Sequence, residues 1–392
     1  MKRRLDGLAV FRELLKDGAV AAFRELLQDC CRNDADNFVS HCGEFESLLF
    51  QQSDCWTAYL RRAVMESENV CIRNWASGAV TAVQEECLNR ELVFLDRLSQ
   101  VTLDDLTAGL DHAPAFLVGW RTEGGSIAQD YRQRMQEVGE KGYGIFARYH
   151  MFTVENGQLV PVKHPDPQQL KQLPGYEQER QKVIANTQAL LDGKPANNVL
   201  LYGDAGTGKS SAIKAIANNF AEQGLRLVEV KKNQLYQIPD LMDALAANPL
   251  KFILFIDDLS FTSNDDNFAA LKAILEGSVG GRAQNIAVYA TSNRRHLIKE
   301  TMTDRSGDDI HESDTRQELM SLSARFGLTV TFASPDRDRY LYIVGELAKQ
   351  YGVDLDEHTL AVRSEAFAIR MGGRSARVAK QFIELCKSGV QV

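Results

Sequence analysis

The sequence predicts an α/β protein: a parallel β-sheet covered by helices, preceded by a mainly helical N-terminal domain with a β-hairpin and followed by a small helical domain. Three observations support this prediction. From about residue 168 onward, short apolar runs alternate with helical patterns, which is typical of a parallel sheet between helical layers. A glycine-rich loop follows the first apolar run, and two aspartates follow the third. The segment 336–388 lacks a strand pattern and favours helices.

The composition is that of a folded protein. The 392 residues carry a formal net charge of −8, with 44% hydrophobic and 25% charged residues, close to the average for globular proteins. No window approaches the roughly 18 apolar residues of a membrane helix. Asp6, Arg12 and Glu13 interrupt any apolar segment of a signal peptide. We therefore expect two or three domains in a cytoplasmic protein without a membrane segment, and the acidic balance disfavours nucleic acid as a partner without excluding it.

The first 120 residues have the apolar spacing of amphipathic helices. Two nine-residue segments, Ala9–Asp17 and Ala21–Asp29, are nearly identical, and Gly18 stands between them, which favours a short helical hairpin. Further helical patterns cover Phe45–Met65 and Ala79–Leu98. Because Trp56 and Trp75 belong to these patterns, we expect both in the core.

Six of the seven cysteines lie within these first helical segments, and no two have C-x-x-C spacing. This favours reduced, buried thiols in a reducing compartment. A metal or redox site at Cys30, Cys31, His41 and Cys42 is the alternative, although the spacing matches no zinc module.

A β-hairpin is predicted next. Asn156-Gly157 separates two strand-like runs, Phe146–Val154 and Gln158–Val162, and this dipeptide is a strong hairpin signal. Two prolines at 165 and 167 interrupt the chain thereafter. The predicted domains are therefore 1–165, 166–334 and 335–392.

The central domain has a regular order of elements. Glycine ends two of its helical patterns, and its strands are apolar without alternation, as in strands buried on both faces. The predicted strands are Asn198–Tyr202, Leu225–Val230, Phe252–Ile256, Ile286–Thr291 and Leu328–Phe332, and the predicted helices are Tyr176–Asp192, Lys209–Gln223, Ile238–Ala247 and Phe268–Glu276.

The glycine-rich loop after the first of these strands fits the pattern G-x-x-x-x-G-K-[ST] at every fixed position. Glycines allow backbone N–H groups to turn toward phosphate oxygens, and the helix that follows adds its positive dipole end. Lys209 would reach the β- and γ-phosphates, and Ser210 would bind Mg²⁺. The predicted nucleotide-binding residues of this loop are Gly203, Asp204, Ala205, Gly206, Thr207, Gly208, Lys209, Ser210 and Ser211.

Polar residues also follow two other strands. Asp257 and Asp258 come directly after Phe252–Ile256, and Asn293 comes after Ile286–Thr291. The carboxyl ends of parallel strands meet at one edge of a sheet, beside the phosphate loop. Asp257 is predicted to hold Mg²⁺, Asp258 to polarise the attacking water, and Asn293 to orient that water.

The phosphate loop, the Asp-Asp strand and the Asn-tipped strand together resemble an AAA+ ATPase over residues 168–392. The resemblance implies a P-loop AAA+ domain with a helical lid, ATP and Mg²⁺ as ligands, and a homo-oligomeric ring, most commonly a hexamer. The segment Ser323–Leu328 resembles the arginine-finger box of the replication-initiator clade, so Arg325 would act on the γ-phosphate of a neighbouring subunit. Leu173, Gly175 and Tyr176 occupy the segment that lines the adenine in this family.

The lid carries a second arginine motif. Gly372-Gly373-Arg374-Ser375 resembles sensor 2, which implies that Arg374 contacts the nucleotide and contributes to catalysis, with Arg377 one turn further on as the alternative. More narrowly, the chain is similar to a bacterial AAA+ family of unknown function, in the segments Pro195–Asp204, Asp257–Phe261, Tyr289–Leu297 and Gly372–Ser375.

The expected activity is therefore ATP hydrolysis at subunit interfaces that remodels a partner macromolecule, with an unknown protein bound by the N-terminal domain. Many AAA+ proteins have Glu at the position of Asp258; the initiator-like clade has Asp and tends to act as a switch, so slow hydrolysis is a hypothesis. An initiator- or helicase-loader-like ATP switch acting on DNA or a replication protein is the alternative. A nucleotide-dependent scaffold without hydrolysis is the third possibility, and the complete set of hydrolytic residues speaks against it.

Overall fold

The computed structural model describes residues 1–108, 110–111, 116–261, 267–276, 283–293 and 324–390. Contacts divide the chain into two compact units, Met1–Arg148 and Tyr149–Val392. Residues 294–297 of the Tyr289–Leu297 segment lie outside the described ranges. Within those ranges, no helix combines the length and the apolarity needed to cross a lipid bilayer.

The described part of the first unit is helical, as its apolar spacing predicts. A short 3-10 helix, Arg12–Lys16, precedes α2. The α-helices are α1 (Lys2–Asp6), α2 (Gly18–Arg32), α3 (Ala35–Phe50), α4 (Trp56–Glu66), α5 (Val70–Trp75), α6 (Ala82–Ser99), α7 (Leu103–Thr107), α8 (Ile127–Gln136), α9 (Val138–Lys141) and α10 (Ile145–Arg148).

An aromatic cluster forms the centre of this unit. The ring of Trp56 stacks on Phe23 at 4.7 Å and meets Phe45 edge-on at 5.1 Å. Trp56 is fully buried, as expected, and its indole N–H donates to the carbonyl of Leu98 at 3.0 Å. A buried indole needs such an acceptor. The same expectation is wrong for Trp75, which is exposed at the end of the short helix α5.

The near-repeat does not form two matching helices. Its first copy becomes the 3-10 helix because the buried Glu91 carboxylate accepts hydrogen bonds from the backbone N–H groups of Ala9, Val10 and Phe11 at 2.6–3.2 Å. The Asp17 carboxylate then caps α2 by accepting from Val20 N at 3.0 Å, so α2 begins at Gly18. The pattern 45–65 is likewise two helices, because the chain breaks between α3 and α4.

The cysteines of this unit differ in exposure. Cys42, Cys55 and Cys71 are buried, Cys31 is exposed, and all seven in the chain are free thiols. At the proposed alternative metal site, His41 Nδ1 instead lies 2.6 Å from the buried Asp29 carboxylate. No group of three or more metal-binding side chains occurs in the described part of the chain.

The second unit contains a seven-stranded sheet in the order β2-β1-β4-β5-β6-β3-β7. Neighbouring strands are parallel except for the β1–β2 pair. This confirms the predicted α/β class. The strands are β1 (Met151–Glu155), β2 (Gln158–Pro161), β3 (Val199–Gly203), β4 (Leu225–Glu229), β5 (Lys251–Ile256), β6 (Ile286–Ser292) and β7 (Leu328–Phe332).

Helices accompany the sheet and form the C-terminal segment of this unit. The described α-helices are α11 (Glu177–Leu191), α12 (Lys209–Phe220), α13 (Ile238–Ala246), α14 (Asn267–Glu276), α15 (Arg337–Tyr351), α16 (Glu357–Arg370) and α17 (Ala376–Lys387). The short 3-10 helices are Leu170–Gln172, Ala221–Gln223 and Lys232–Gln237. The last three α-helices share one hydrophobic core with the sheet, so the boundary at 334/335 stays a prediction.

The hairpin belongs to this sheet and not to the N-terminal unit, which corrects the expected assignment. Its turn is as predicted, with Asn156 and Gly157 at positive φ (50° and 77°). However, β1 pairs in parallel with β4, with Phe152 opposite Val228. The compact units consequently divide after Arg148 rather than near residue 165.

Candidate functional site

The phosphate-binding loop joins β3 to α12 at the carboxyl edge of the sheet. Gly203, Gly206 and Gly208 have φ values of 140°, 77° and 93°, which L side chains rarely adopt. At Gly203 a Cβ would stand 2.0 Å from the Phe332 carbonyl oxygen, so only glycine fits. The loop therefore leads directly into the N-terminus of α12, where unpaired N–H groups and the helix dipole favour an anion.

Lys209 is the first residue of α12 and is only 6% exposed. Its Nζ donates to Gly203 O at 2.8 Å, to Asp204 O at 2.7 Å and to Asn293 Oδ1 at 3.1 Å. Burial lowers the pKa of this ammonium from its ordinary value, because desolvation penalises the charged form. A phosphate group arriving at this position would restore a strong anionic partner.

Asp257 follows β5 and faces the start of α12. Its Oδ1 accepts from Ser210 Oγ at 2.6 Å and from Thr291 Oγ1 at 2.5 Å. Mg²⁺ prefers oxygen ligands and is held in proteins by one or two carboxylates together with phosphates and water. The hydroxyl of Ser210 beside the exposed carboxylate of Asp257 provides such donors, so these residues fit the predicted metal.

Asp258 adopts a left-handed backbone conformation, with φ of 49°. Its Oδ1 accepts from Asn293 Nδ2 at 2.9 Å. Asn293 thus bridges Lys209 and Asp258, as expected for residues at the tips of neighbouring strands. These side chains surround a cavity of about 350 Å³, whose lining comprises Ala205, Gly206, Gly208, Lys209, Ser210, Ser211, Asp257, Asp258, Thr291, Asn293 and Arg377.

A larger cavity of about 870 Å³ adjoins the other side of the loop. Its lining includes Leu173, Tyr176, Thr207, Ser211 and Arg377. The ring of Tyr176 stacks on Phe332 at 5.2 Å, and its hydroxyl donates to Ala333 O at 2.6 Å. Burial raises the pKa of this phenol to about 12, so it remains a neutral donor. The cavity is large enough for a nucleoside, since ligand pockets commonly span roughly 300–1,000 Å³.

Gly175 shapes this wall rather than lining it. Its φ is 79°, and a Cβ there would stand 2.8 Å from Ile343. Its carbonyl accepts from Arg180 Nη1, and its N–H donates to Glu177 Oε1 at 2.6 Å. Glycine at this position lets α15 approach the segment that carries Tyr176.

The two lid arginines have different surroundings. Arg374 forms a double hydrogen bond with Glu365, with Nε–Oε1 at 3.0 Å and Nη2–Oε2 at 2.7 Å, and it lines neither of these two cavities. This pair raises the pKa of Arg374 and lowers that of Glu365. Arg377 lines both cavities, and its N–H donates to Gly206 O at 2.9 Å. The structure thus favours the alternative arginine over the primary sensor-2 prediction.

Arg325 is half-buried and precedes β7. Because β7 runs parallel to β3, with Val199 opposite Leu328 and Gly203 opposite Phe332, Arg325 lies at the amino edge of the sheet. The phosphate loop lies at the carboxyl edge. Five residues at about 3.3 Å each separate these edges by roughly 15 Å, so Arg325 is remote from the phosphate loop of its own chain.

Sequence reasoning missed two residues of the site. Thr291 contacts both aspartates, but a threonine in a β-strand is too common to attract attention. Asn218 in α12 donates to the carbonyls of Asp166 and Gln168, at 2.9 and 2.8 Å, and both residues line the larger cavity. Its Oδ1 lies 2.9 Å from His150 Nε2; because an amide oxygen only accepts, His150 must carry the proton there.

Asp204 has a structural contact beyond the motif. Its carboxylate accepts from Ser334 N at 2.8 Å, and its N–H donates to Phe332 O at 3.2 Å. The Ser334 hydrogen bonds lower the pKa of the carboxyl. Asp204 therefore ties the phosphate loop to the segment after β7, in addition to any contact with a nucleotide.

The fold and the site together are those of a P-loop protein: a parallel sheet with a phosphate loop after β3, an Asp-Asp pair after β5 and an asparagine after β6. The chain belongs to the family described as "Protein of unknown function (DUF815)", whose profile matches residues 146–390, more than half of the sequence. The expected relation to a family of unknown function is thus confirmed.

Solved structures that are similar to the chain include three single-residue mutants of RuvB from Thermotoga maritima. The sequence identities are 17%, 17% and 18%, and the TM-scores are 0.37, 0.38 and 0.38. The matches cover 56%, 57% and 57% of this chain and 64%, 67% and 68% of the RuvB chains. Comparison with curated proteins gave no match.

Proposed function

We propose that the protein is a Mg²⁺-dependent ATPase that hydrolyses ATP at the interfaces of an oligomer and uses the cycle to remodel or switch a partner macromolecule. One observation carries the proposal. Lys209, Asn293 and Asp258 form a continuous hydrogen-bonded chain, and Ser210 and Asp257 form a pair beside it. A cation, a water-polarising carboxylate and a metal-binding pair are the groups that phosphoryl transfer requires.

The residues have distinct roles in this proposal. The N–H groups of Gly206 to Ser210 and the ammonium of Lys209 bind the phosphates, and Ser210 with Asp257 would hold Mg²⁺. Bound Mg²⁺ supplies electrostatic stabilisation of the charge on the phosphate oxygens. Asp258 orients and polarises the attacking water, and Asn293 holds that carboxylate at 2.9 Å. Tyr176 and the wall near Leu173 receive the adenine, and Arg377 contacts the phosphates from the lid.

Arg325 completes the site in trans. Its location at the opposite edge of the sheet from the phosphate loop supports a role toward a neighbouring subunit, because it cannot reach the nucleotide of its own chain. The proposed assembly is a homo-oligomeric ring, with a hexamer as the expected size. An arginine supplied by a neighbour stabilises the charge of the transition state and commonly accelerates hydrolysis by about 10³–10⁵-fold.

The partner is proposed to be a protein bound by the helical N-terminal unit. A cytoplasmic location fits this proposal. An ATP-controlled switch acting on DNA or a replication protein is the second candidate, and the shorter Asp258 in place of Glu favours it. Stimulation of ATP turnover by single- or double-stranded DNA would support this second candidate, whereas turnover that is insensitive to DNA would support a protein partner.

The activity is tested with matched variants. We expect Lys209→Ala to abolish ATP binding in calorimetry, whereas Asp258→Asn should bind ATP and fail to hydrolyse it. Arg325→Ala should bind ATP with the wild-type affinity and lose hydrolysis in the assembled oligomer. Mixing Lys209→Ala with Arg325→Ala subunits should restore some activity, because each lacks a different half of the composite site. Wild-type ATP affinity in Lys209→Ala would refute the phosphate-loop assignment.

A further inference from the structure

Thr291 is a buried residue near the end of β6 to which the proposed mechanism gives no role. It is 2% exposed, and β6 lies between β3 and β5, the strands that lead to the phosphate loop and to the two aspartates. We propose that Thr291 is a positioning residue that orients Asp257 for Mg²⁺ and at the same time fixes the backbone of Asp258. This inference rests on the proposed ATPase function and deepens it.

The hydroxyl of Thr291 contacts both aspartates. Oγ1 donates to Asp257 Oδ1 at 2.5 Å and accepts from Asp258 N at 2.9 Å. The directions are fixed by chemistry, because a backbone N–H can only donate and an ionised carboxylate can only accept. A hydroxyl has one proton, which Thr291 donates to the Asp257 carboxylate, and a lone pair of the same oxygen accepts the hydrogen bond from the Asp258 N–H.

The contact restricts the rotation of the Asp257 carboxylate. Oδ1 accepts from Ser210 Oγ and Thr291 Oγ1, which lie on α12 and β6 respectively, and from Asp258 N at 3.1 Å. Within the described residues, Oδ2 of Asp257 has no hydrogen-bond donor. The arrangement leaves one carboxylate oxygen for the metal or its water shell. Partners that orient a ligand in this way commonly change metal affinity or activity by about 10–100-fold when they are removed.

The same hydroxyl stabilises the unusual backbone of Asp258. Left-handed φ values are unfavourable for residues other than glycine and persist where surrounding contacts enforce them. At Asp258 these contacts are the bond from its N–H to Thr291 and the bond from Asn293 to its carboxylate. The next residue, Leu259, also donates its N–H to Thr291 O at 2.7 Å. Thr291 therefore couples the metal-binding carboxylate to the water-polarising one.

Thr291→Val removes the hydroxyl and retains the branched shape that a strand accommodates. Thr291→Ser retains the hydroxyl and removes only a methyl group. Thr187→Val is a matched control: Thr187 is also fully buried in this unit, and its hydroxyl bonds Val183 O and Tyr289 at 2.8 Å, away from the site. Thr291→Ala provides a smaller replacement in case valine perturbs folding, which circular dichroism would detect.

The measurement is the affinity for ATP by calorimetry, with Mg²⁺ and with EDTA, in the full-length Asp258→Asn background to prevent turnover. We expect Thr291→Val to reduce the affinity gained from Mg²⁺ by about 10-fold or more and to leave the affinity in EDTA unchanged. Thr291→Ser should recover the gain to within about threefold, and Thr187→Val should retain it.

The inference would be overturned if a folded Thr291→Val protein gained as much ATP affinity from Mg²⁺ as the protein with Thr291. It would also be overturned if Thr291→Ser lost as much of this affinity gain as Thr291→Val. Failure of the proposed function is a separate result: the protein without site substitutions would then not bind ATP, or would gain nothing from Mg²⁺. If Thr291→Val weakened ATP binding equally in EDTA and in Mg²⁺, Thr291 would have a general packing role, which would also contradict the positioning role.

Discussion

The two lid arginines permit a sharp test of which one contacts the nucleotide. Arg377 lines both cavities, and its backbone is hydrogen-bonded to Gly206 at 2.9 Å. Arg374, three residues earlier, is held by both oxygens of Glu365. We expect Arg377→Ala to weaken ATP binding and Arg374→Ala to leave it nearly unchanged.

The expected magnitudes follow from these surroundings. A hydrogen bond to a charged group contributes about 1.5–3 kcal/mol, so losing the Arg377 contact to phosphate should raise the Kd for ATP by about 10–150-fold. Arg374 is 38% exposed, and ion pairs at a surface contribute little to stability. The Kd for ATP in Arg374→Ala should therefore stay within about twofold of wild type.

The assay is calorimetric titration with ATP and Mg²⁺ in the Asp258→Asn background. Arg370→Ala is a matched control, because Arg370 is exposed on the same lid and lies outside both cavities. Arg377→Lys should retain part of the affinity since it preserves the charge. A large loss in Arg374→Ala together with wild-type affinity in Arg377→Ala would refute the reasoning and restore the primary sensor-2 interpretation.

Two further predictions concern the backbone of the loop and the first unit. Gly203→Ala should abolish ATP binding, because the added Cβ would stand 2.0 Å from the Phe332 carbonyl oxygen. Thermal unfolding should show the second unit destabilised by about 1–3 kcal/mol, the usual effect of overpacking. Gly193→Ala is the control, because Gly193 also has a positive φ (69°) but has open space around it. The hydrogen bond that the His41 ring donates to the Asp29 carboxylate raises the pKa of His41 above its ordinary value of 6.5, so the stabilisation from this pair should be complete below pH 6.5 and be lost as the pH rises through the raised pKa. The unfolding temperature of His41→Gln, measured between pH 6 and 9, should not show this fall in stability with rising pH. If the variant shows the same fall as the wild type, His41 is not the group that causes it.

Local motifs could be predicted from the sequence because their chemistry depends on adjacent residues. The phosphate loop needs glycines at fixed spacing before a helix, and the Asp-Asp pair needs a buried strand before it. Both patterns are contained in fewer than a dozen residues. The alternation of apolar runs and helical patterns likewise determined the parallel sheet, since strands buried on both faces are apolar throughout.

Non-local contacts could not be predicted in the same way. The hairpin joined the sheet because β1 bonds to β4, and nothing within Phe146–Val162 encodes a partner so distant in the chain. The motif favours Arg374 over Arg377, but in the structure the carboxylate of Glu365 on α16 holds Arg374. Similarly, the first copy of the near-repeat does not form an α-helix, because its backbone N–H groups donate to the side chain of Glu91, a residue about eighty positions away.

Helix α12 links two features that are far apart in the chain. Its twelve residues form a rod of about 18 Å at 1.5 Å per residue. One end carries Lys209, and the other carries Asn218, which holds both His150 and the wall segment at Asp166. Since a helix is stiff along its axis, a tilt caused at the phosphate end must displace the other end too. The helix therefore connects the phosphate site to His150, the second residue of the second compact unit.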